Sequence, residues 1–302
     1  YYYVENIEEH MQKIKELFND DMVEKEVDTR GWIYRWRESG KIIFIVLRDS
    51  TGIIQVTVSR DNVSEEDFNS AKSAGIESSV IVSGIVKKDE RAPGGFEILA
   101  KKFKVIGLSQ NFPITKDKSD EFLLDMRHLW LRSREMTAVL KIRSTIFDML
   151  HDFFRKEGYY EVQAPMFVSS AVEGGSTLFE VPYFGRKAYL TQSSQFYLET
   201  FIFSLENVYT VAPSFRAEKS RTRRHLTEFW HLEAEAAWIG NDDMMKLEER
   251  MIMHVIEGIL EKNREELILL KRDISKLESL SLPFKRMEYA DVIKIGKDVG
   301  LD

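Results

Sequence analysis

Val4, Ile7, Met11, Ile14 and Phe18 recur at alternating spacings of three and four, which places them on one face of an amphipathic helix and predicts helix over 1–22. From about Val23 the pattern changes to β-rich runs at 27–34, 42–48 and 53–59, with Asp49-Ser50-Thr51-Gly52 as a turn between the last two. Residues 64–74 read as a short helix. Two more strands follow at 78–87 and 96–106, split by Arg91-Ala92-Pro93-Gly94-Gly95. Five short strands with one helix between the third and fourth is the order of an OB-fold, a small Greek-key barrel, here over 23–107.

Pro113 and scattered charges mark 108–133 as a hinge. A helix is then predicted from Arg134 to Glu157, stopping at Gly158. A strand at Tyr160-Glu161-Val162 ends before Pro165. Further strands fit 179–183, 188–190, 208–215 and 228–238, and a long helix fits 242–277. Helices with antiparallel-looking strands make the second domain, 134–302, an α+β domain.

The 302 residues suit two domains, and 43% hydrophobic with 31% charged residues is the balance of a soluble globular protein. The chain has no cysteine, which excludes disulfides, thiolate metal sites and a cysteine nucleophile. No apolar run is long enough to span a membrane, and the N-terminus is too charged for a signal peptide; an intracellular, cytoplasmic protein is expected. A net charge of −7 requires any nucleic-acid site to be a local basic surface.

Such a surface stands at 216–225, Arg-Ala-Glu-Lys-Ser-Arg-Thr-Arg-Arg-His, where Arg216, Lys219, Arg221, Arg223 and Arg224 face one acid, Glu218. The loop joins two predicted strands. Arginine forks pair with phosphate in two places and can stabilise charge that builds during phosphoryl chemistry. Taken alone, the segment also fits a solvated hairpin.

Phe215-Arg216-Ala217-Glu218 followed by Arg224-His225-Leu226-Thr227-Glu228-Phe229 resembles motif 2 of the class II aminoacyl-tRNA synthetases. The helix ending at Gly158, with Glu161-Val162 leading to Pro165, resembles motif 1, which forms the dimer interface in that family. Ala171-Val172-Glu173-Gly174-Gly175-Ser176-Thr177-Leu178-Phe179 resembles the loop that closes on the amino acid in the aspartyl and asparaginyl branch, and Thr191-Gln192-Ser193-Ser194-Gln195 resembles that branch's next active-site strand. Gly31-Trp32-Ile33-Tyr34, Phe44, Arg48-Asp49 and Gly52-Ile53-Ile54-Gln55 resemble its anticodon-binding OB-fold. The resemblance covers nearly the whole chain.

It implies ATP-dependent activation of an amino acid followed by transfer to tRNA, in a homodimer, with Mg2+ accompanying ATP. Arg216 would bridge the α-phosphate and the substrate carboxylate. Glu218 would accept from the adenine amino group, Phe229 would stack under adenine, and Arg224, His225 and Leu226 would line the ATP site. Glu173, Ser193 and Gln195 would receive the substrate ammonium. In the OB-fold, Phe44 would stack on an anticodon base, Gln55 would read the central uridine, and Arg35, Arg37 and Lys41 would meet phosphates. By pattern alone Phe44 fits a barrel core equally well, and Gln55 fits an exposed strand.

Two positions bear on the amino acid. The aspartyl enzymes carry a lysine where this chain has Leu198, so a carboxylate substrate would lack its cation. Glu233 stands where the aspartyl pattern tends to aspartate, and a glutamate there can accept from the amide of asparagine; Glu199 is the second candidate for that contact. These features favour asparagine over aspartate. The alternatives are an aspartyl enzyme, one that charges both tRNAs, an asparagine synthetase related to this branch, or a non-catalytic tRNA-binding relative. Motif 3, the magnesium-holding acids and a substrate arginine have no counterpart after Asp242. The resemblance therefore implies an incomplete site, and little or no amino-acid activation by these 302 residues alone.

Overall fold

The computed structural model describes residues 11–115, 118–169, 178–219, 222 and 225–300. The chain divides into two compact units, 1–127 and 128–302.

In the first unit, β1 (Glu26–Ser39), β2 (Ile42–Arg48), β3 (Ile53–Ser59), β4 (Ser79–Lys88) and β5 (Phe96–Gly107) close a barrel in the order β1-β2-β3-β5-β4. Alternation fixes what points inward: Val27, Ile33, Ile43, Ile45, Leu47, Ile54, Val56, Val58, Val80, Val82 and Ile98 are all buried. Helix α1 (Glu65–Ser73) sits between β3 and β4, and its first turn is held by Ser64, whose hydroxyl accepts from Asp67 N at 3.0 Å. β1 runs five residues past the predicted end at Tyr34. It continues because a register shift between Ile33 and Arg35 lets the strand keep pairing with β2, Arg35 opposite Val46 and Arg37 opposite Phe44. That shift also changes parity, so Trp32 before it and Arg35 and Arg37 after it are all exposed.

The predicted N-terminal helix is corrected where it can be seen. Residues 1–10 lie outside the described residues; Met11–Lys13 are not helical, and Ile14–Leu17 form a single 3-10 turn. Long-range partners set this course: Gln12 N donates to Asp28 O at 2.9 Å, Ile14 N to the Asp49 carboxylate at 3.0 Å and Lys15 N to Thr51 Oγ1 at 3.0 Å. The periodic apolar residues serve a different purpose: Ile14 and Leu17 are fully buried in the barrel core, and Phe18 meets Phe96 edge-on.

The expected hinge carries two short helices, α2 (Asp120–Asp125) and α3 (Arg127–Trp130). In the second unit, α4 (Arg134–Lys156) begins at a Ser133 cap and ends before Gly158, whose φ of 81° suits glycine. Strands β6 (Tyr160–Glu161), β10 (Asn207–Phe215) and β11 (Glu228–Ala236) form one sheet ordered β11-β10-β6, with β10–β11 antiparallel and β10–β6 parallel. A second sheet orders β7 (Phe167–Val168), β9 (Arg186–Leu190) and β8 (Glu180–Tyr183) as β7-β9-β8. Phe153, Phe154, Tyr159, Tyr209 and Leu247 form the core between α4, the first sheet and α6 (Asn241–Lys262). The architecture is α+β, as expected.

Two further stretches depart from the sequence reading. Residues 191–195 are not a strand: they turn and enter helix α5 (Gln195–Leu205), because Ser194 O takes the amides of Tyr197 and Leu198 at 3.0 and 3.1 Å. The long helix expected over 242–277 is three pieces, α6, α7 (Arg264–Leu269) and α8 (Ile274–Glu278). It breaks at Asn263, whose backbone leaves the helical region at φ −127° while its side chain is buried, and again at Lys271, with φ 55°. A last helix, α9 (Tyr289–Asp298), was not anticipated.

Candidate functional site

The β10–β11 hairpin builds the site in the second unit. Its register sets Ser214 opposite Phe229, Ala212 opposite His231, Thr210 opposite Glu233 and Val208 opposite Glu235. Strand periodicity therefore puts Phe229, His231, Glu233 and Glu235 on one face. Arg216 N donates to Thr227 O at 3.0 Å, which prolongs the ladder by one bond and leads the Arg216 guanidinium to 5.2 Å from the centre of the Phe229 ring. Arg221, Arg223 and Arg224, as well as Glu173, lie outside the described residues. His225 is bonded through Nδ1 to the hydroxyl of Thr222, and Leu226 is exposed.

The turn before α5 meets this face. Thr191 O accepts from Phe215 N at 2.8 Å and the Thr191 hydroxyl donates to Ser193 O at 2.7 Å, so the turn is clipped to the end of β10. Ser193 donates its hydroxyl to the Glu233 carboxylate, and Ser194 N donates to the same group at 2.8 Å. The Glu233 side chain is only 11% exposed, and His231 Nδ1 stands 3.5 Å from it. His231 Nδ1 also lies 3.2 Å from Ser214 Oγ, and its ring is 5.4 Å from that of Phe229. Gln195 Nε2 donates to Glu199 at 2.9 Å, which turns its amide oxygen away from that carboxylate. Burial, followed by repulsion from Glu199 and then Glu233, pushes the Glu235 carboxyl above its ordinary value.

Arg216, Phe229, Ser193, Gln195 and Glu233 thus come together. Leu198 does not open onto this face: it is fully buried in the packing of α5. Whatever it contributes to selection comes from the absence of a cation, not from contact. His231, Ser194, Glu199 and Glu235 complete the cluster; of these, sequence reasoning named only Glu199 as a site residue. Strand alternation from Phe229 to Glu233 was the signal that would have found His231 and Glu235. Among the described residues no group of three or more His, Asp or Glu side chains is arranged to hold a metal ion, so no residue here is assigned to magnesium.

The barrel carries the second set of predicted residues on its outer face. Phe44 points out of the barrel, not into its core, with Arg37 4.8 Å from its ring. Arg35 lies 5.5 Å from the Tyr34 ring. The register joins Arg37 to Phe44, Phe44 to Thr57, Val46 to Gln55 and Gln55 to Glu97 across four neighbouring strands. Glu97, unnoticed in the sequence, holds this face: it accepts from Gln55 Nε2 at 3.0 Å and from Thr57 Oγ1 at 2.6 Å.

A barrel with an aromatic, cationic outer face and an α+β unit with an arginine–phenylalanine hairpin are the two parts that the comparisons match. Residues 27–106 match the family model described as OB-fold nucleic acid binding domain, and residues 119–300 match that described as tRNA synthetases class II (D, K and N). The chain belongs to the class II tRNA synthetase family. Within that family it is 55% identical over 96% of its length to the asparagine–tRNA ligase of Thermoplasma acidophilum, and 50% identical over 93% to that of Thermococcus kodakarensis. It spans 68% of the length of each. The crystal structure of asparaginyl-tRNA synthetase from Pyrococcus horikoshii complexed with asparaginyl-adenylate superposes with a TM-score of 0.91 at 45% identity, covering 97% of this chain and 68% of that one.

Proposed function

We propose that this protein attaches asparagine to its tRNA through an asparaginyl-adenylate. In the first step an oxygen of the asparagine carboxylate attacks the α-phosphorus of ATP, the bond to the β-phosphate breaks, and pyrophosphate leaves. In the second, a hydroxyl at the tRNA 3′ end attacks the acyl carbon and AMP leaves. No group on the protein becomes covalently modified, so catalysis rests on positioning and charge.

Arg216 neutralises charge on the α-phosphate while Phe229 carries the adenine ring, and the contact between the two keeps them in one block. Glu218 accepts from the adenine amino group, and Arg224, His225 and Leu226 border the outer phosphates. Gln195 offers its amide oxygen to the substrate ammonium, and Ser193 and Glu173 share in receiving it. Glu233 selects the side chain. A carboxylate has about four acceptor positions, and two here are taken by Ser193 and Ser194, which leaves capacity for the N–H of an asparagine amide. Aspartate brings no such hydrogen and adds a second negative charge. On the barrel, Phe44 stacks an anticodon base, Gln55 reads the base beside it under the hold of Glu97, and Arg35 and Arg37 meet the phosphates. Magnesium travels with ATP; α4 and β6 form the face on which two copies pair; and the protein works in the cytoplasm.

The observation that carries the reading is the clipping of Glu233 to Ser193 and Ser194 on the same strand face as Phe229. ATP–pyrophosphate exchange by the protein tests it, with asparagine and aspartate side by side. Exchange with asparagine alone is expected. Exchange with aspartate overturns the pocket, and exchange with neither favours a non-catalytic tRNA-binding relative.

A further inference from the structure

A single peptide unit stands between a buried hydroxyl and the selector Glu233. Ser193 O and Ser194 N belong to the same planar trans unit, so the carbonyl and the N–H point in opposite directions. The nitrogen donates to Glu233 Oε2 at 2.8 Å, and the oxygen accepts from the Thr191 hydroxyl at 2.7 Å. A carbonyl has no hydrogen to give, so the hydroxyl is the donor. Hydrogen bonds in series polarise one another, and the bond at the oxygen strengthens the one at the nitrogen. The Ser193 hydroxyl meanwhile donates to the other carboxylate oxygen, Oε1, and accepts from Gln195 N at 3.1 Å. Thr191 is 1% exposed, and its own backbone is tied on both sides: its amide donates to Met166 O at 2.9 Å, and its carbonyl accepts from Phe215 N at 2.8 Å. The end of β10 and the chain just before β7 thus hold this hydroxyl in place. Nothing in the proposed chemistry asks it to touch a substrate.

We propose that Thr191 is a positioning residue for amino-acid selection: its hydroxyl fixes the plane of the Ser193–Ser194 peptide and, through it, the orientation of the Glu233 carboxylate. The proposal rests on the reading of Glu233 as the amide acceptor. The terminal torsion of a glutamate is broad, so a carboxylate held at one oxygen swings about it. Held by Ser193 at one oxygen and by Ser194 at the other, it keeps its remaining acceptor positions in fixed directions. An asparagine amide N–H needs such a direction; the side chain of aspartate brings no hydrogen to use it. Without the Thr191 hydroxyl, the Ser193 carbonyl loses its donor in a turn whose residues 191, 192 and 194 are buried. Rotation of the peptide toward another partner then carries the Ser194 N–H away from Glu233. Asparagine loses a preset acceptor, while Arg216 and Phe229 stand outside this chain of bonds and keep their hold on ATP.

The test is ATP–pyrophosphate exchange by the protein, with asparagine and with aspartate, in Thr191→Val and Thr191→Ser. Valine keeps the branched shape and both backbone bonds and removes the hydroxyl; serine keeps the hydroxyl and removes the methyl. In Thr191→Val the KM for asparagine should rise roughly five- to tenfold with kcat little changed, the loss of about one buried hydrogen bond. The KM for ATP and the constants for aspartate should change less than about twofold, so the preference falls with the asparagine KM. Thr191→Ser should stay within about twofold of the unsubstituted protein on every count. Thr191→Ala removes the hydroxyl without adding apolar volume, and it should match Thr191→Val, which keeps the test open if the valine variant folds poorly. Combined with Glu233→Gln, Thr191→Val should lower the preference no further than Glu233→Gln does alone, because the one acts through the other. An unchanged preference without the hydroxyl, a serine variant as impaired as the valine one, or equal losses for both amino acids overturns the role of Thr191 and leaves the asparagine reading standing. Aspartate used as well as asparagine by the unsubstituted protein overturns the asparagine reading, and the proposal with it.

Discussion

Removing Glu77 should destabilise the barrel more than any exposed charge could. Glu77 and Arg48 form a bidentate pair with both N···O distances at 2.9 Å, and their side chains are 3% and 13% exposed. Glu77 sits at φ 70° at the entry to β4, where its amide also donates to Ile33 O at 2.7 Å. Arg48 lies 5.6 Å from the Tyr34 ring, so the pair joins β2 to β1 and to the turn before β4. In Glu77→Ala the guanidinium stays buried without its carboxylate, a loss of about 3–5 kcal/mol. For a unit of this size that is a fall in melting temperature of roughly 10–25 °C. Replacing both members by apolar residues, Arg48→Met with Glu77→Leu, should recover most of the loss, because neither charge is then stranded. Hydrogen exchange followed by mass spectrometry on peptides from β1 to β5 reads this unit alone. If Glu77→Ala lowers the opening free energy of those peptides by less than about 1 kcal/mol, the pair is a surface contact in energetic terms and the reasoning fails.

Gly84→Ala should disrupt the seam between β4 and β5: a Cβ there would lie 2.7 Å from Ile98 Cγ2, 2.9 Å from Leu99 C and nearer still to Leu99 O, mostly unyielding backbone, and a loss of at least about 1–3 kcal/mol in the same exchange experiment is expected. Glu97→Ala frees Gln55 and Thr57 together, so the KM for tRNA in charging should rise several-fold while ATP–pyrophosphate exchange without tRNA stays unchanged; a matching loss in exchange would contradict a role confined to the barrel face. Glu235 is held above its ordinary value by burial first, then by Glu199 and Glu233, so the folded chain binds its proton more tightly than the unfolded chain does. Its contribution to stability is therefore present at low pH and lost as pH rises through its folded value. Glu235→Gln should accordingly raise stability at pH 7 and change it little near pH 4, and urea unfolding at the two pH values checks this.

Much of the barrel was legible because its strands alternate and its turns carry glycine, proline and aspartate. The spans predicted for β2 and β3 match the structure residue for residue. The course of β1 was not legible beyond Tyr34, because a register shift depends on the partner strand and leaves no local signature. The 191–195 turn was misread for a related reason: Ser193 and Ser194 bond to Glu233, some forty positions away, and α5 itself is too uniformly apolar to show helical period. Asn263 interrupts an otherwise continuous helical pattern by going into the interior, where Oδ1 finds no partner among the described residues. In the site, Arg216, Phe229 and Glu233 were found through the motif that contains them. Thr191 and Glu97 were given no role because their importance lies in what they hold.

The claim that Glu233 selects the amide is tested most directly by Glu233→Gln in ATP–pyrophosphate exchange, with both amino acids measured at one pH. The substitution keeps the shape, removes the charge, and lets the amide oxygen serve only one of the donors the carboxylate now serves. Loss of a charge-assisted bond to the asparagine amide, worth about 1.5–3 kcal/mol, predicts a fall of roughly 10–150-fold in kcat/KM for asparagine. Aspartate should be used no worse than before, so the preference collapses from the asparagine side. Equal losses for the two amino acids, leaving the preference intact, would mean that Glu233 only supports the turn at Ser193 and that selection resides elsewhere.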